Sequence, residues 1–329
     1  MDRIETSTFM TRRDVLKAAG AAALAAQASF GAEPKAERKA KRDLKAKAKK
    51  NLKLGIMTSV YAHLPLEEAA RRIKEDGFHG VVCEYAFKDV RFDPLAPDWD
   101  AAKKIRTTLE KNDIEVVGLF GYYNVVDPDE AKRKTGEKRI DLLINNWKRL
   151  GSPIVSTETG TLNAKSEWME SPENFTEKGF IACRDALAKL ARSAEKTGAI
   201  VAIEAYWRNI ISSAERAERL FREVKSPALK LTMDPCNYFR NEDLDRMKPM
   251  LEDLFKRVGR DTVLAHAKDV KASPKGSETP AAGTGVLDYP LFLRLLAELD
   301  KELWLVVEHL KIDDVARARD YVKAQFEKL

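Results

Sequence analysis

Beyond Lys53 the chain alternates between short apolar runs and longer amphipathic stretches, and it keeps this rhythm to its end. Apolar runs fall at 52–57 (LKLGIM), 79–84 (HGVVCE), 114–120 (IEVVGLF), 153–157 (PIVST), 199–204 (AIVAIE), 228–234 (ALKLTMD), 262–266 (TVLAH) and 302–308 (ELWLVVE). Each has the length of a buried strand, and near-continuous apolarity marks a parallel strand covered on both faces. Helical periodicity fills the spaces near 65–76, 98–112, 135–150, 173–197, 213–224, 241–258, 288–300 and 313–328. Asp98 and Asp288 are placed to cap two of these helices, and Lys196-Thr197-Gly198 to stop a third. Eight β/α units in the 278 residues of 52–329 predict an α/β fold, a single-domain (β/α)8 TIM barrel. A doubly wound open sheet is the alternative. It usually carries a glycine-rich phosphate loop after its first strand, where this chain reads Met57-Thr58-Ser59-Val60-Tyr61.

Polar residues enter this pattern at telling places. The last four apolar runs end in Glu204, Asp234, His266 and Glu308, at spacings of 30, 32 and 42 residues. Parallel strands joined by crossover helices point their C-terminal ends the same way. In a barrel those ends form the active-site face. A carboxylate at the end of an apolar strand is costly unless it is paired or bound to a cation. Four successive strand ends of this kind predict a site for one divalent metal ion. Three carboxylates and an imidazole suit Mn2+ first, with Mg2+, Co2+ and Zn2+ also compatible. Four protein ligands leave two octahedral positions for adjacent substrate oxygens.

The barrel pattern, the Glu/Asp/His/Glu set and His266-Ala267-Lys268-Asp269 together resemble the sugar phosphate isomerase/epimerase superfamily of xylose isomerase-like barrels. Gly283-Thr284-Gly285-Val286-Leu287-Asp288 is similar to a G-x-G-x-x-D segment of many members, although a plain turn also explains its glycines. The resemblance covers about 52–329. It implies a divalent-metal-dependent sugar isomerase or epimerase that removes a proton next to a carbonyl and passes through an enediolate stabilised by the metal. Glu204 and Glu308 would bind the ion and also move protons. The chain departs from the epimerase pattern at Asn237, where those enzymes often place a substrate-binding histidine. Lys268, directed to the side of His266 by strand alternation, is a third catalytic candidate. These differences leave room for a metal-dependent lyase or dehydratase acting on a keto-sugar or 3-keto-glycoside.

Further substrate contacts are expected from Glu158 at the fourth strand end, His63 after the first strand and Tyr122 (with Tyr123) after the third. Trp207, Arg208 and Asn237, after the fifth and sixth strands, complete this set. Glu84 is a weaker candidate. His79, at the start of a strand, is expected to play no catalytic part, and His309 is expected to point away from Glu308.

Composition narrows the partners. The whole chain carries 58 Lys/Arg against 52 Asp/Glu, but residues 1–53 alone hold 14 basic and 6 acidic residues, leaving 44 and 46 for the remainder. A near-neutral body without a basic, aromatic-interleaved patch argues against nucleic acid. The same balance lowers a phosphodiesterase related to endonuclease IV, whose metal cluster draws on many histidines where this chain has 4. A non-catalytic sugar-binding barrel is opposed by retention of all four ligands. Cys83, Cys183 and Cys236 are unpaired in spacing and read as buried thiols. Residues 1–28 read as a signal peptide: Arg12-Arg13 precede the apolar 18–30, which is too short to span a bilayer. The arginine pair resembles a twin-arginine signal, and Ala26-Gln27-Ala28 offers a cleavage site. The expectation is export to a bacterial periplasm through twin-arginine machinery, with no stable membrane anchor. A charged linker is expected over 29–51. The partner is then a small sugar or glycoside, and a homo-oligomer is compatible with the chain.

Overall fold

A computed structural model describes residues 35–329; the expected signal peptide and its cleavage site lie outside these residues. Helix α1 spans Lys35–Asn51, with residues 37–43 exposed and Lys41 3.8 Å from Glu37 one turn away. From Leu44 onward the chain forms one compact unit. The end of α1 belongs to it: Ala48 is fully buried, Lys45 and Lys49 meet Glu327 at 2.9 and 2.7 Å, and Lys47 meets Asp300 at 3.0 Å. Residues 35–51 of the charged stretch are thus helical, and 44–51 belong to the barrel unit.

Eight parallel strands close into a barrel in chain order, β1 pairing with both β2 and β8. They are β1 Leu52–Met57, β2 Gly80–Cys83, β3 Glu115–Phe120, β4 Ile154–Glu158, β5 Ile200–Glu204, β6 Leu229–Met233, β7 Thr262–Ala267 and β8 Leu303–Val307. Helices α2 Leu66–Glu75, α3 Trp99–Lys111, α4 Glu130–Leu150, α5 Glu177–Thr197, α6 Ala214–Val224, α7 Met247–Val258, α8 Tyr289–Glu298 and α9 Val315–Phe326 alternate with them. Asp98 caps α3 by accepting from the N–H groups of Asp100 and Ala101, and Asp288 caps α8 through Leu291 N–H. Gly198 stops α5 in the left-handed conformation at φ 75°. The main departures from the periodicity are at α4, which begins five residues earlier than expected, at a cap by Asp129, and at α7, which begins at Met247 after a 3-10 stretch over Asn241–Arg246.

The core lies between strands and helices, while Met57, Val82, Val117, Leu264 and Val306 fill the barrel's interior with Trp304 and Phe120 against them. Trp304 comes so close to β2 that a Cβ on Gly80 would sit 2.5 Å from its ring. This packing closes the barrel below the C-terminal strand ends and makes their side chains the floor of a pocket. The three cysteines are free and buried, and no helix among the described residues is long and apolar enough to cross a membrane.

Candidate metal centre and pocket

The strand ends deliver the ligand set from four neighbouring positions around the barrel. Glu204 closes β5 and is register partner to Glu158 on β4. Asp234 stands one residue past β6, where its Oδ1 accepts from Cys236 N–H (3.0 Å) and starts a tight turn over Pro235–Tyr238. His266 lies in β7, and Glu308 follows β8. Ligand atoms of Glu204, Asp234, His266 and Glu308 all lie within 4.8 Å of one another, and all four residues are buried.

His266 Nδ1 is 3.3 Å from Glu204 Oε2, 3.4 Å from Glu308 Oε1 and 3.9 Å from Asp234 Oδ2. Lys268, as alternation expected, points the same way as His266, its Nζ 2.6 Å from Asp234 Oδ2 and 2.8 Å from Glu308 Oε1. It is only 3% exposed, so this ammonium is part of the cluster and not a solvated side chain. Glu204 is held on both oxygens: Asn237 Nδ2 donates to Oε1 at 2.6 Å and the Tyr122 hydroxyl donates to Oε2.

These five ionisable groups titrate as a unit. Burial opposes the charge on Glu204 and Glu308, yet the imidazolium of His266 and the Lys268 ammonium outweigh it and hold both carboxyls down. Burial dominates at Asp234 and lifts it to about 8, with Lys268 only partly offsetting the rise. Burial works against the proton on His266, but the carboxylates of Glu308 and Glu204 raise its affinity well above the ordinary imidazole range. Both ring nitrogens of His266 are buried without a well-formed hydrogen bond, and Asp234 Oδ2 and Glu308 Oε1 are met closely only by the Lys268 ammonium. Such orphaned atoms are expensive unless something satisfies them. Once His266 and Asp234 release their protons, three carboxylates against one ammonium leave two negative charges, which a divalent cation would balance. The donor set and its orphaned atoms therefore fit a divalent ion.

The cluster opens into a cavity of about 180 Å³. Met57, Phe120, Tyr122 and Trp168 give it an apolar wall, while Glu158, Asn237, Lys268, Thr279 and the two glutamates supply polar groups. Phe120 and Tyr122, two residues apart at the end of β3, pack at 4.6 Å. Burial, with the charge of Glu204 beside it, raises Glu158 to about 8. A larger groove of about 750 Å³ between α6 and residues 238–254 contains none of the four ligands, so size does not mark the reactive site.

The cavity wall includes the expected Glu158, Asn237, Tyr122 and Lys268. Other expected contacts lie elsewhere. His63 is exposed in the turn after β1 and is not in the wall. Trp207 is sandwiched between the guanidinium groups of Arg208 (4.3 Å) and Arg240 (4.5 Å), and its Nε1 donates to Ser277 Oγ at 3.0 Å. Arg208 donates to the Lys275 carbonyl. The pair braces neighbouring loops, and Tyr206 takes the wall position. His309 reverses its expectation: φ of 54° breaks the strand alternation, and the ring turns into the rim, Nε2 3.9 Å from Glu308 Oε1. Met57, Phe120, Trp168 and Thr279 also line the cavity, and only the position of the first two at strand ends marked them beforehand.

Asp269, fully buried, ties down the loop after β7. Its carboxylate accepts from Val270, Gly283 and Leu287 N–H groups, each at 2.9 Å. Gly283 adopts φ 84°, and a Cβ on Gly285 would stand 2.5 Å from Asp269 Oδ1, so both glycines of the segment are needed by this bracket.

A model of the xylose isomerase-like TIM barrel family matches residues 70–325. The chain belongs to the xylose isomerase-like TIM barrel family. No curated protein matches it. Among solved structures, a 3-keto-D-glucoside 4-epimerase from E. coli is similar at 19% identity and TM-score 0.60, covering 84% of this chain and all of that one (100%). The probable 3-DHS dehydratase of Bacillus anthracis is similar at 12% identity and TM-score 0.61, over 84% and 97% of the two chains. A xylose isomerase-like barrel from Mycobacterium smegmatis, solved in complex with magnesium, is similar at 16% identity and TM-score 0.62, over 85% and 98%. At these identities the likeness is one of fold.

Proposed function

We propose that this xylose isomerase-like barrel is a divalent-metal-dependent sugar isomerase or epimerase that abstracts a proton next to a carbonyl. The observation that carries this reading is the buried Glu204/Asp234/His266/Glu308 cluster at the floor of the pocket. Those four residues would hold the ion, for which Mn2+ is the proposed choice. When bound, a divalent ion supplies Lewis-acid stabilisation of the charge that builds on the carbonyl oxygen as the proton leaves.

The chain's own residues do the rest. β5 and β8 are separated by two strands, so Glu204 and Glu308 approach the pocket from different sides. One carboxylate takes the proton from carbon, and the other, protonated beforehand, delivers its own proton to the opposite face, inverting the centre and exchanging the protonation states of the two groups. Tyr122 and Asn237 fix the orientation of Glu204. Lys268 helps hold Glu308 charged, offsets part of the burial penalty at Asp234, and offers a cation toward developing negative charge. The apolar wall of Met57, Phe120 and Tyr122 packs the carbon face of a sugar ring. Among the described residues Lys268 is the one lysine or arginine in the wall, and its pairing with two carboxylates supports an unphosphorylated substrate.

One observation favours a lyase or dehydratase acting on a keto-sugar or 3-keto-glycoside as a second reading. Asn237, at the position where ketose epimerases often carry a substrate-binding histidine, donates to Glu204. Elimination needs a base and a route for a leaving hydroxyl or alkoxide, and does not need a proton returned to carbon. Arg12-Arg13 and the apolar 18–30 support export, consistent with free sugars or glycosides as substrates; finding the uncleaved chain confined to the cytosol would remove that part.

The test is metal content and turnover together. The purified protein is expected to hold one divalent ion per chain and to convert a member of a panel of ketoses and 3-keto-glycosides. Stripping the ion should abolish turnover and Mn2+ should restore it. Full turnover by metal-free protein would overturn the reading.

A further inference from the structure

Trp168 lines the reactive pocket and yet is 59% exposed, the most exposed large hydrophobic side chain among the described residues. Its neighbour Met169 is 48% exposed. A tryptophan left in water is ordinary on a loose loop, but here the backbone on both sides is pinned. Asn163 Oδ1 accepts from Lys165 and Ser166 N–H at 2.9 and 3.1 Å, and Ser166 Oγ accepts from Trp168 N–H at 3.2 Å. Beyond it, Thr161 Oγ1 donates to the Met169 carbonyl at 2.8 Å and Asn163 Nδ2 to the Glu170 carbonyl at 2.9 Å. Arg240 then clasps the Glu170 carboxylate at 3.1 Å. The other aromatics of this face are already paired: Tyr122 packs on Phe120, and Trp207 lies between two arginines. No ring or cation stacks on Trp168 among the described residues.

The cavity itself is small. Pockets that enclose drug-sized ligands run from about 300 to 1,000 Å³, and about 180 Å³ holds little more than one sugar ring. Anything attached to that ring must leave toward solvent, where the lining is most exposed at Trp168 and His309. There it can meet the exposed indole, which stands on a pinned backbone. The lining also holds a polar pair, Thr279 Oγ1 lying 3.1 Å from His309 Nδ1.

We propose that Trp168 forms an outer subsite that stacks the second, non-reacting ring of a glycoside whose first ring fills the pocket. This rests on the sugar reading of the site given above and narrows its substrate class from free monosaccharides to glycosides. Indoles suit this task because they present a large, rigid apolar face at little conformational cost. Met169, its sulfur held by Arg208 Nη1 at 3.2 Å, extends the same platform.

The test is calorimetric binding to the full Mn2+-loaded chain. The probes are paired monosaccharides and their phenyl glycosides across several hexoses, in both the parent and 3-keto forms. For a pair that binds, the phenyl glycoside is expected to bind at least tenfold more tightly than the monosaccharide. Trp168→Ala should erase that advantage by weakening the phenyl glycoside far more than the monosaccharide, and Trp168→Phe should restore most of it. The side chain is largely in water, so the substitution spares the core. An advantage that is absent, or that persists in Trp168→Ala, overturns the subsite and leaves the sugar reading standing. Binding by no member of the panel overturns the sugar reading, and the subsite with it.

Discussion

Each side chain of the metal cluster is defined by what its neighbours leave unsatisfied. Glu204 has both oxygens engaged by neutral donors, whereas Asp234 Oδ2 and Glu308 Oε1 closely meet only the Lys268 ammonium and the His266 nitrogens have no well-formed hydrogen bond. Glu204→Gln and Glu308→Gln should each lower kcat by about 10²–10⁴, the usual worth of a positioned acid or base; steady-state kinetics with less than a threefold loss would remove the residue from the proton path. Tyr122→Phe should cost about tenfold in kcat with metal content retained, since it frees one oxygen of Glu204 but removes no ligand. Glu158 permits a prediction with a defined sign. Burial raises its folded-state pKa to about 8, well above the value near 4.3 of an unfolded glutamate. Between these values the folded state holds the extra proton, so stability contributed by this group is present below about pH 4 and is lost as pH rises through 8. Glu158→Gln should therefore gain about 1–3 kcal/mol relative to wild type on going from pH 5 to pH 9, a range discounted for the carboxyl's partial exposure to the pocket. A pH-independent difference in denaturant midpoint would contradict the assignment.

At the scale of elements, strand ends were the legible feature, because a hydrophobic run that stops at a ligand has few explanations in a parallel barrel. Alternation then carried two residues further correctly, from His266 to Lys268, because residues 262–268 stay extended and paired. It failed at His309, where a left-handed residue turns the chain, and no local signal such as glycine marks that turn. Trp207 and Arg208 could not be placed for a different reason. Their partners Arg240, Ser277 and Lys275 come from loops more than 30 residues away, and no periodicity links them. A plain turn would explain the glycines of segment 283–288 in sequence, yet they serve Asp269, which satisfies the buried N–H groups of Val270 and Leu287 and that of Gly283. Asp269→Ala should cost about 2–4 kcal/mol, being several charge-assisted bonds lost at a buried site. A loss under 1 kcal/mol in urea unfolding would show that the loop holds without it.

At the scale of the whole molecule, the barrel's order and the position of its site were readable from the rhythm of the chain, while the part played by the charged stretch before it was not. Lysine-rich composition describes the exposed face of α1 and conceals the buried Ala48 and Asn51. A chain beginning at Leu52 should be less stable than one beginning at Leu44 by about 1–3 kcal/mol, mostly from apolar contact, since exposed ion pairs such as Lys47–Asp300 add little. Equal thermal midpoints for the two would assign that helix no part in stability. Metal binding also acts on the fold as a whole: at about one hundred times Kd, an ion that binds only the folded state adds about 2.7 kcal/mol.

The central claim is that this cluster moves a proton on a carbon beside a carbonyl, and hydrogen exchange reads that event without the final product being known. The Mn2+-loaded protein in D2O, given ketoses and 3-keto-glycosides, is predicted to place solvent deuterium on that carbon in at least one of them. Glu204→Gln and Glu308→Gln should suppress the exchange. Absence of deuterium from every candidate, with the ion bound and the protein folded, would contradict the account.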